Sequence, residues 1–195
     1  PIGNAGNITA VMEGFVDLHE LGIINELPVI LGVQSEHADP ISRWRSSGTY
    51  APVTVRPSVA QAAMIGDPVS FPKVRLNVER HFQDRFFAVS VSEDEIMEGM
   101  LTANRHGHVV CTQGGESIAG LRKALAHGLL PPCRTYVVDS TSHHLKFATF
   151  QERYFTDTLD PDYGITPRDE LKNAPVELEG DAQTIAAFLG LKKKG

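Results

Sequence analysis

The sequence predicts an α/β fold with a mostly parallel sheet and helices on both faces. Three observations carry this: short apolar runs, amphipathic stripes of helical period between them, and polar, glycine-rich or hydroxyl-rich loops where the two meet. A 195-residue chain with 42% apolar and 22% charged residues is long enough for one domain with a real core, and its composition is not that of a disordered chain.

The first helix follows a Gly3-Asn-Ala-Gly-Asn7 turn. Ile8, Val11, Met12, Phe15 and Leu18 recur at three- and four-residue steps, and Gly22 fits its stop. The run Pro28-Val-Ile-Leu-Gly-Val33 reads as a strand buried on both faces, and similar runs appear at residues 86–91, 108–111 and 136–138. Ser92, with Glu95 three residues on, forms a capping box that starts a helix running to about Asn104. A further helix spans 115–127 with Ile118, Leu121 and Leu125 on its apolar side and Gly128 as its stop. After residue 157 the pattern weakens into Pro- and charge-rich sequence, with an apolar stretch at 185–191 expected to dock as a terminal helix. The expected division is an α/β domain over 1–156, incomplete at its N-terminal side, and a C-terminal extension over 157–195.

With 24 acidic and 18 basic side chains the formal charge is −6, which argues against a broad nucleic-acid or anionic-membrane footprint. Lys192-Lys193-Lys194 is the one basic cluster and reads as a solvated tail. Cys111 and Cys133 lie in no disulfide-like or metal-like spacing, no run approaches a membrane span, and nothing resembles a signal peptide, so a cytoplasmic setting is expected.

Three segments carry chemistry. Gly3, Asn4, Ala5, Gly6 and Asn7 precede a helix, so backbone N–H groups and the positive end of the helix dipole converge where a phosphate can sit. Asn7 or Thr9 can add a side-chain hydrogen bond. Read alone, the segment is equally a plain glycine turn, but it is neither a P-loop nor a dinucleotide fingerprint. The second segment, Val137-Val-Asp-Ser-Thr-Ser-His-His-Leu-Lys-Phe147, ends an apolar run in hydroxyls and imidazoles. A hydroxyl there can meet a ring nitrogen without favouring the protonated ring, as a carboxylate would; an ordinary helix cap fits as well. His143 and His144 have no third ligand nearby, and no metal is expected. The third, Cys111-Thr-Gln-Gly-Gly-Glu-Ser117, can reach the same rim of the sheet, with Cys111 as a buried structural thiol.

In this order and spacing these segments resemble the threonine synthase family, whose members carry Gly-Asn-Phe-Gly-Asn-Ile-Thr-Ala and Ser-Thr-Ala-His-Gly-Leu-Lys-Phe where this chain has Gly3-Asn-Ala-Gly-Asn-Ile-Thr-Ala10 and Ser140-Thr-Ser-His-His-Leu-Lys-Phe147. Gly32-Val-Gln34, Ala62-Ala-Met-Ile-Gly-Asp-Pro-Val-Ser70 and Val91-Ser-Glu-Asp-Glu-Ile96 also look like the family, so the match covers about residues 1–155. The resemblance implies the large C-terminal domain of a fold type II pyridoxal 5'-phosphate enzyme, akin to the tryptophan synthase β subunit. It implies that Gly3, Asn4, Ala5, Gly6 and Asn7 hold the cofactor phosphate and that Thr141 meets the pyridine nitrogen. The implied reaction converts O-phosphohomoserine and water to threonine and phosphate.

The family's Schiff-base lysine lies upstream in a Phe-Lys-Asp context that nothing here matches. Lys146 occupies the downstream Leu-Lys-Phe position and does not replace it. No residue of this chain is therefore expected to be the catalytic lysine, and a missing N-terminal segment or companion chain is the expected partner, with a homodimer as a further assembly. Relatives carry a Cys-Pro-His-Thr-Gly-Val-Ala-like segment where Gln113 and Gly114 stand here, which puts substrate choice in doubt. The alternatives are a threonine dehydratase or cysteine synthase relative and a non-catalytic phosphate-binding module, with a nucleotide-binding regulatory domain a weak fourth.

Overall fold

A computed structural model describes residues 1–131 and 135–191. Cys133 and the Lys192–Lys194 run lie outside the described residues. The elements in order are α1 (Gly6–Glu20), β1 (Ile30–Ser35), α2 (Pro40–Ser47), α3 (Phe71–Arg80), β2 (Phe86–Val91), α4 (Glu93–Arg105), α5 (Thr112–Ala126), α6 (Ala148–Phe155) and α7 (Ala182–Phe188). β1 and β2 pair in parallel, Ile30 opposite Phe86 and Ser35 opposite Val91.

Because side chains alternate along a strand, this register sends two sets of residues to opposite faces. Ile30, Phe86 and Ala88 join Ile8, Met12, Ile41, Trp44, Phe71, Val74 and Val78 from α1, α2 and α3. Leu31, Val33, Val89 and Val91 meet Ile96, Met97, Met100, Leu101, Ala119, Phe150 and Tyr154 from α4, α5 and α6. Helices therefore cover both faces, as the sequence predicts.

Local signals place the helix ends. At α1, Gly22 has φ +70 and Ile23 N–H reaches back to Leu18 O at 2.9 Å, a Schellman stop. At α4 both halves of the capping box form: Ser92 Oγ accepts from Glu95 N–H at 3.2 Å, and Glu95 Oε2 accepts from Ser92 N–H at 2.7 Å. Helices α4 and α5 cross at glycines. A Cβ on Gly115 would stand 2.4 Å from Ile96 O, and one on Gly120 would stand 2.2 Å from a Val33 methyl, so α5 lies close against both α4 and β1.

Two expected strands do not form. Residues 108–111 follow Gly107, at φ +86, and run at once into α5; Val110 N–H is taken by Asn104 Oδ1 at 3.0 Å, and one isolated antiparallel bridge to His143 is its only ladder contact among the described residues. Residues 136–138 have β-forming composition, but among the described residues no strand lies beside them to complete a ladder, and Val137 is 93% exposed. A concavity of about 650 Å³ separates them from β1, lined by Leu31, Val33, Leu121, Val137 and Val138 among others. The helix expected at 115–127 starts three residues earlier, because Cys111 is its N-cap.

Residues 157–171 return to the body of the fold: Leu159, Tyr163, Ile165 and Leu171 pack on the α4 and α6 side chains. Arg168 Nη2 bonds Glu98 Oε2 at 2.6 Å, and Arg122 meets the other Glu98 oxygen at 3.0 Å. Partial burial alone would raise the Glu98 pKa; the two guanidinium groups prevail and hold it below the usual value. The apolar stretch expected to dock at the C-terminus does form α7, yet Ile185, Phe188 and Leu189 stay 41%, 55% and 59% exposed. None of its residues is buried, so this seven-residue helix receives little of the tertiary packing that ordinarily stabilises a short helix.

Candidate cofactor site

The opening segment is anchored by a buried glutamine. Ile2 N–H donates to Val33 O at 2.8 Å along the free edge of β1, and Gln34 Nε2 donates to Ile2 O at 3.3 Å. Gln34 Oε1 accepts from Ile41 N–H and Ser42 N–H at 2.9 and 3.0 Å, so this one side chain ties the start of the loop to the start of α2.

From there the chain turns sharply. Ala5 is the α1 N-cap and sits at φ +64, a left-handed conformation unusual outside glycine. The first α1 hydrogen bond runs from Thr9 N–H to Ala5 O at 3.2 Å, which leaves the N–H groups of Gly6, Asn7 and Ile8 outside the helix ladder. Gly3 lies against the short turn at Gln61–Ala63; a Cβ there would come within 2.9 Å of Ala62 O. That turn is held in place by Glu93, which accepts from Ser35 Oγ, from Ser58 Oγ at 3.0 Å and from Val59 N–H at 2.6 Å.

A cavity of about 290 Å³ is lined by Gly3, Asn4, Ala5, Gly6 and Asn7 together with Ala62, Ala63, Gln113 and Thr141. All six positions expected to bind the cofactor thus share one cavity, although Thr141 is far from the loop in sequence. Asp139 is the link: Oδ2 accepts from Asn7 Nδ2 at 2.8 Å, and Oδ1 accepts from Thr141 N–H at 2.8 Å. This Asx turn holds Thr141, a β-branched residue, at φ +48.

Side chains expected to reach an anion have other duties. Asn7 Nδ2 is engaged by Asp139, and Thr9 Oγ1 donates to Ala5 O at 2.7 Å within its own helix; nearby, Asn4 Oδ1 accepts from Val69 N–H at 2.9 Å. The α1 N-terminus itself offers a phosphate its backbone, which suits one in kind: converging N–H groups with a helix dipole behind them.

Gln113 is 3% exposed, lines the cavity, and its Nε2 has no partner among the described residues. Sequence reasoning noted it as a departure from related sequences without giving it a role. Cys111 is fully buried; its Sγ caps α5 by accepting from Gly114 N–H at 3.4 Å, the structural duty expected of it. His143 and His144 are not joined by a third ligand, and among the described residues no group of three or more His, Cys, Asp or Glu is gathered for a metal. Burial, and next to it His143, lower the His144 pKa.

Outside the cavity, on the same helix, Glu116 is fully buried and neither carboxyl oxygen has a hydrogen-bond partner among the described residues. Burial pushes its pKa up to about 8; the neighbouring Glu93 adds to this, and a pull from the Ser35 backbone falls short of a hydrogen bond.

A family model described as "Pyridoxal-phosphate dependent enzyme" matches residues 1–141. The chain belongs to the pyridoxal-phosphate dependent enzyme family. It is 32% identical over 192 residues to the threonine synthase of Methanocaldococcus jannaschii, a match covering 97% of this chain and 42% of that protein. The threonine synthase of Methanosarcina acetivorans is 36% identical over 149 residues, covering 75% of this chain and 36% of the relative. The chain therefore spans less than half the length of these relatives. Among solved structures, threonine synthase from Escherichia coli superposes with a TM-score of 0.60 at 19% identity over 97% of this chain and 42% of that one. A fungal L-serine ammonia-lyase from Rhizomucor miehei superposes with a TM-score of 0.52 at 18% identity, covering 67% of this chain and 39% of that one. Both likenesses establish the α/β fold.

The site's chemistry fits the family's cofactor. The cavity has a helix N-terminus for a phosphate, a wall at Ala62 that a side chain on Gly3 would strike, and an unpaired buried amide at Gln113.

Proposed function

We propose that this chain is the phosphate-binding, C-terminal portion of a threonine synthase, which converts O-phospho-L-homoserine and water to L-threonine and phosphate. The Schiff-base lysine comes from a segment or companion chain outside these 195 residues. In this reading residues 1–156 form the cofactor domain, 157–195 are its extension, and the protein works in the cytoplasm.

One observation carries the reading: Gly3, Asn4, Ala5, Gly6, Asn7 and Thr141 line a single cavity. Pyridoxal 5'-phosphate, when bound, supplies an electron sink for carbanion chemistry. The chain's own part is positioning. The N–H groups of Gly6, Asn7 and Ile8 hold the phosphate. Thr141 offers a neutral hydroxyl to the ring nitrogen, which gives a hydrogen bond without the bias toward the protonated ring that a carboxylate brings. Asp139 keeps these two halves in register.

The test is borohydride reduction of the complete gene product, followed by peptide mapping and a phosphate-release assay with O-phosphohomoserine. The expected result is a reduced pyridoxyl group on a lysine outside residues 1–195 and release of phosphate. Attachment at Lys146, or cofactor retention with no phosphate release, would overturn the assignment.

A further inference from the structure

Gln113 is the one residue lining the cofactor cavity that has a buried side-chain polar atom without a partner among the described residues. Close packing on every side fixes where it sits. It is the second residue of α5, whose start is capped by Cys111 and whose next residues are fitted tightly: a Cβ on Gly114 would stand 2.8 Å from Val110 Cβ, and one on Gly115 would strike Ile96 O. Thr112 Oγ1 donates to Gln113 Oε1 at 3.4 Å, which engages the acceptor end of the amide and leaves the donor end, Nε2, unpaired.

An amide N–H buried without an acceptor is destabilising, because it gives up water and receives nothing in return. An apolar side chain of similar size would avoid that penalty. The cavity, moreover, is lined by no lysine, arginine or histidine among the described residues, so an anion in it depends on backbone N–H groups and neutral donors. Among the neutral side-chain donors of this lining, Gln113 Nε2 is the one that is both buried and unpaired among the described residues.

We infer that Gln113 Nε2 donates a hydrogen bond to a phosphate oxygen of the molecule bound in this cavity, completing the cradle formed by the Gly3–Asn7 backbone. The inference rests on the proposed cofactor reading and adds to it a ligand-binding residue on a different element. The phosphate belongs either to the cofactor or to a phosphorylated substrate beside it, and the chemistry at Gln113 is the same.

The experiment uses the complete gene product as wild type, Gln113→Met, which removes the donor at similar volume, and Gln113→His, which retains one. Binding of pyridoxal 5'-phosphate and of pyridoxal, which lacks the phosphate, is titrated by absorbance; inorganic phosphate is then titrated against cofactor-loaded protein. A hydrogen bond to a charged oxygen predicts that Gln113→Met weakens one phosphorylated probe by roughly 10- to 100-fold. Pyridoxal affinity stays within about twofold, a margin well under one hydrogen bond. The His variant recovers part of the loss. In urea without ligand, the Met variant matches or exceeds wild-type stability, since an unpaired buried donor has gone.

Loss of pyridoxal 5'-phosphate affinity with pyridoxal spared assigns the cofactor phosphate. Retained cofactor affinity with weakened inorganic phosphate assigns the substrate phosphate. Equal loss with pyridoxal and pyridoxal 5'-phosphate, or no loss with any probe, overturns the inference. Failure of the wild type to bind cofactor at all is a separate result, and it refutes the proposed function instead.

Discussion

Replacing Glu116 by glutamine should make the protein more stable above pH 5 and increasingly so toward pH 9. The carboxyl is fully buried and unpartnered, and its pKa stands at about 8 against an ordinary 4.5. Because the folded value is raised, native protein binds more protons than unfolded chain between these values, and stability falls as pH rises. The contribution is intact below pH 4.5, erodes through the interval and is fully lost above pH 8. At ~1.4 kcal/mol per tenfold change in proton affinity, the loss reaches ~3 kcal/mol by pH 7 and ~5 kcal/mol near pH 9.

Glutamine keeps the shape and carries no charge at any of these pH values. The two proteins should therefore unfold within ~1 kcal/mol of one another at pH 4.5, where both folded side chains are neutral, similar in shape and alike in lacking a hydrogen-bond partner among the described residues. Urea unfolding of both across pH 4.5–9 measures this, and groups common to the two proteins cancel in the difference. Stability curves that stay parallel over the whole range would show that Glu116 is ionised and compensated in the native state, and the burial argument would fail.

Gly115→Ala forces a methyl to within 2.4 Å of Ile96 O at the α4–α5 crossing and should cost ~1–3 kcal/mol in urea unfolding, despite the better helix propensity of alanine. Ala5→Gly relieves a left-handed residue at the α1 N-cap; thermal unfolding should show a gain of ~1 kcal/mol with the loop geometry kept. Asp139→Ala removes the acceptor shared by Asn7 and Thr141, so pyridoxal 5'-phosphate affinity should fall about tenfold, the worth of one or two net hydrogen bonds; unchanged affinity would mean that the two halves of the site are held without it.

Much of the fold was legible because its signals are local. The Ser92–Glu95 box, Gly22 and the 86–91 run each specify their structure within a few residues, and each formed as read. The runs at 108–111 and 136–138 were equally apolar but remained outside the sheet. A strand is completed by a neighbour, and no local property of those residues says whether one lies alongside.

The cavity shows the same division. Gly3, Ala5 and Gly6 could be read as a phosphate turn because backbone N–H groups before a helix are a property of the local chain. Gln113 and Glu116, on one turn of one helix, give no such sign in sequence: a glutamine and a glutamate near a helix start usually face water. The crossing of α4 and α5 at Gly99 and Gly115, and the seating of Gly120 on Val33, carry that turn inside the protein. The sequence by itself determined α1, α4 and the body of α5, the Gly22 and Ser92 caps, the two paired strands and the glycine turn before α1, since each arises from contacts a few residues apart. Only the tertiary structure decided that Asp139 joins Asn7 to Thr141, that Gln113 presents an unpaired amide beside them, and that Glu116 is buried without a partner, because burial and long-range pairing are properties of packed surfaces rather than of the chain.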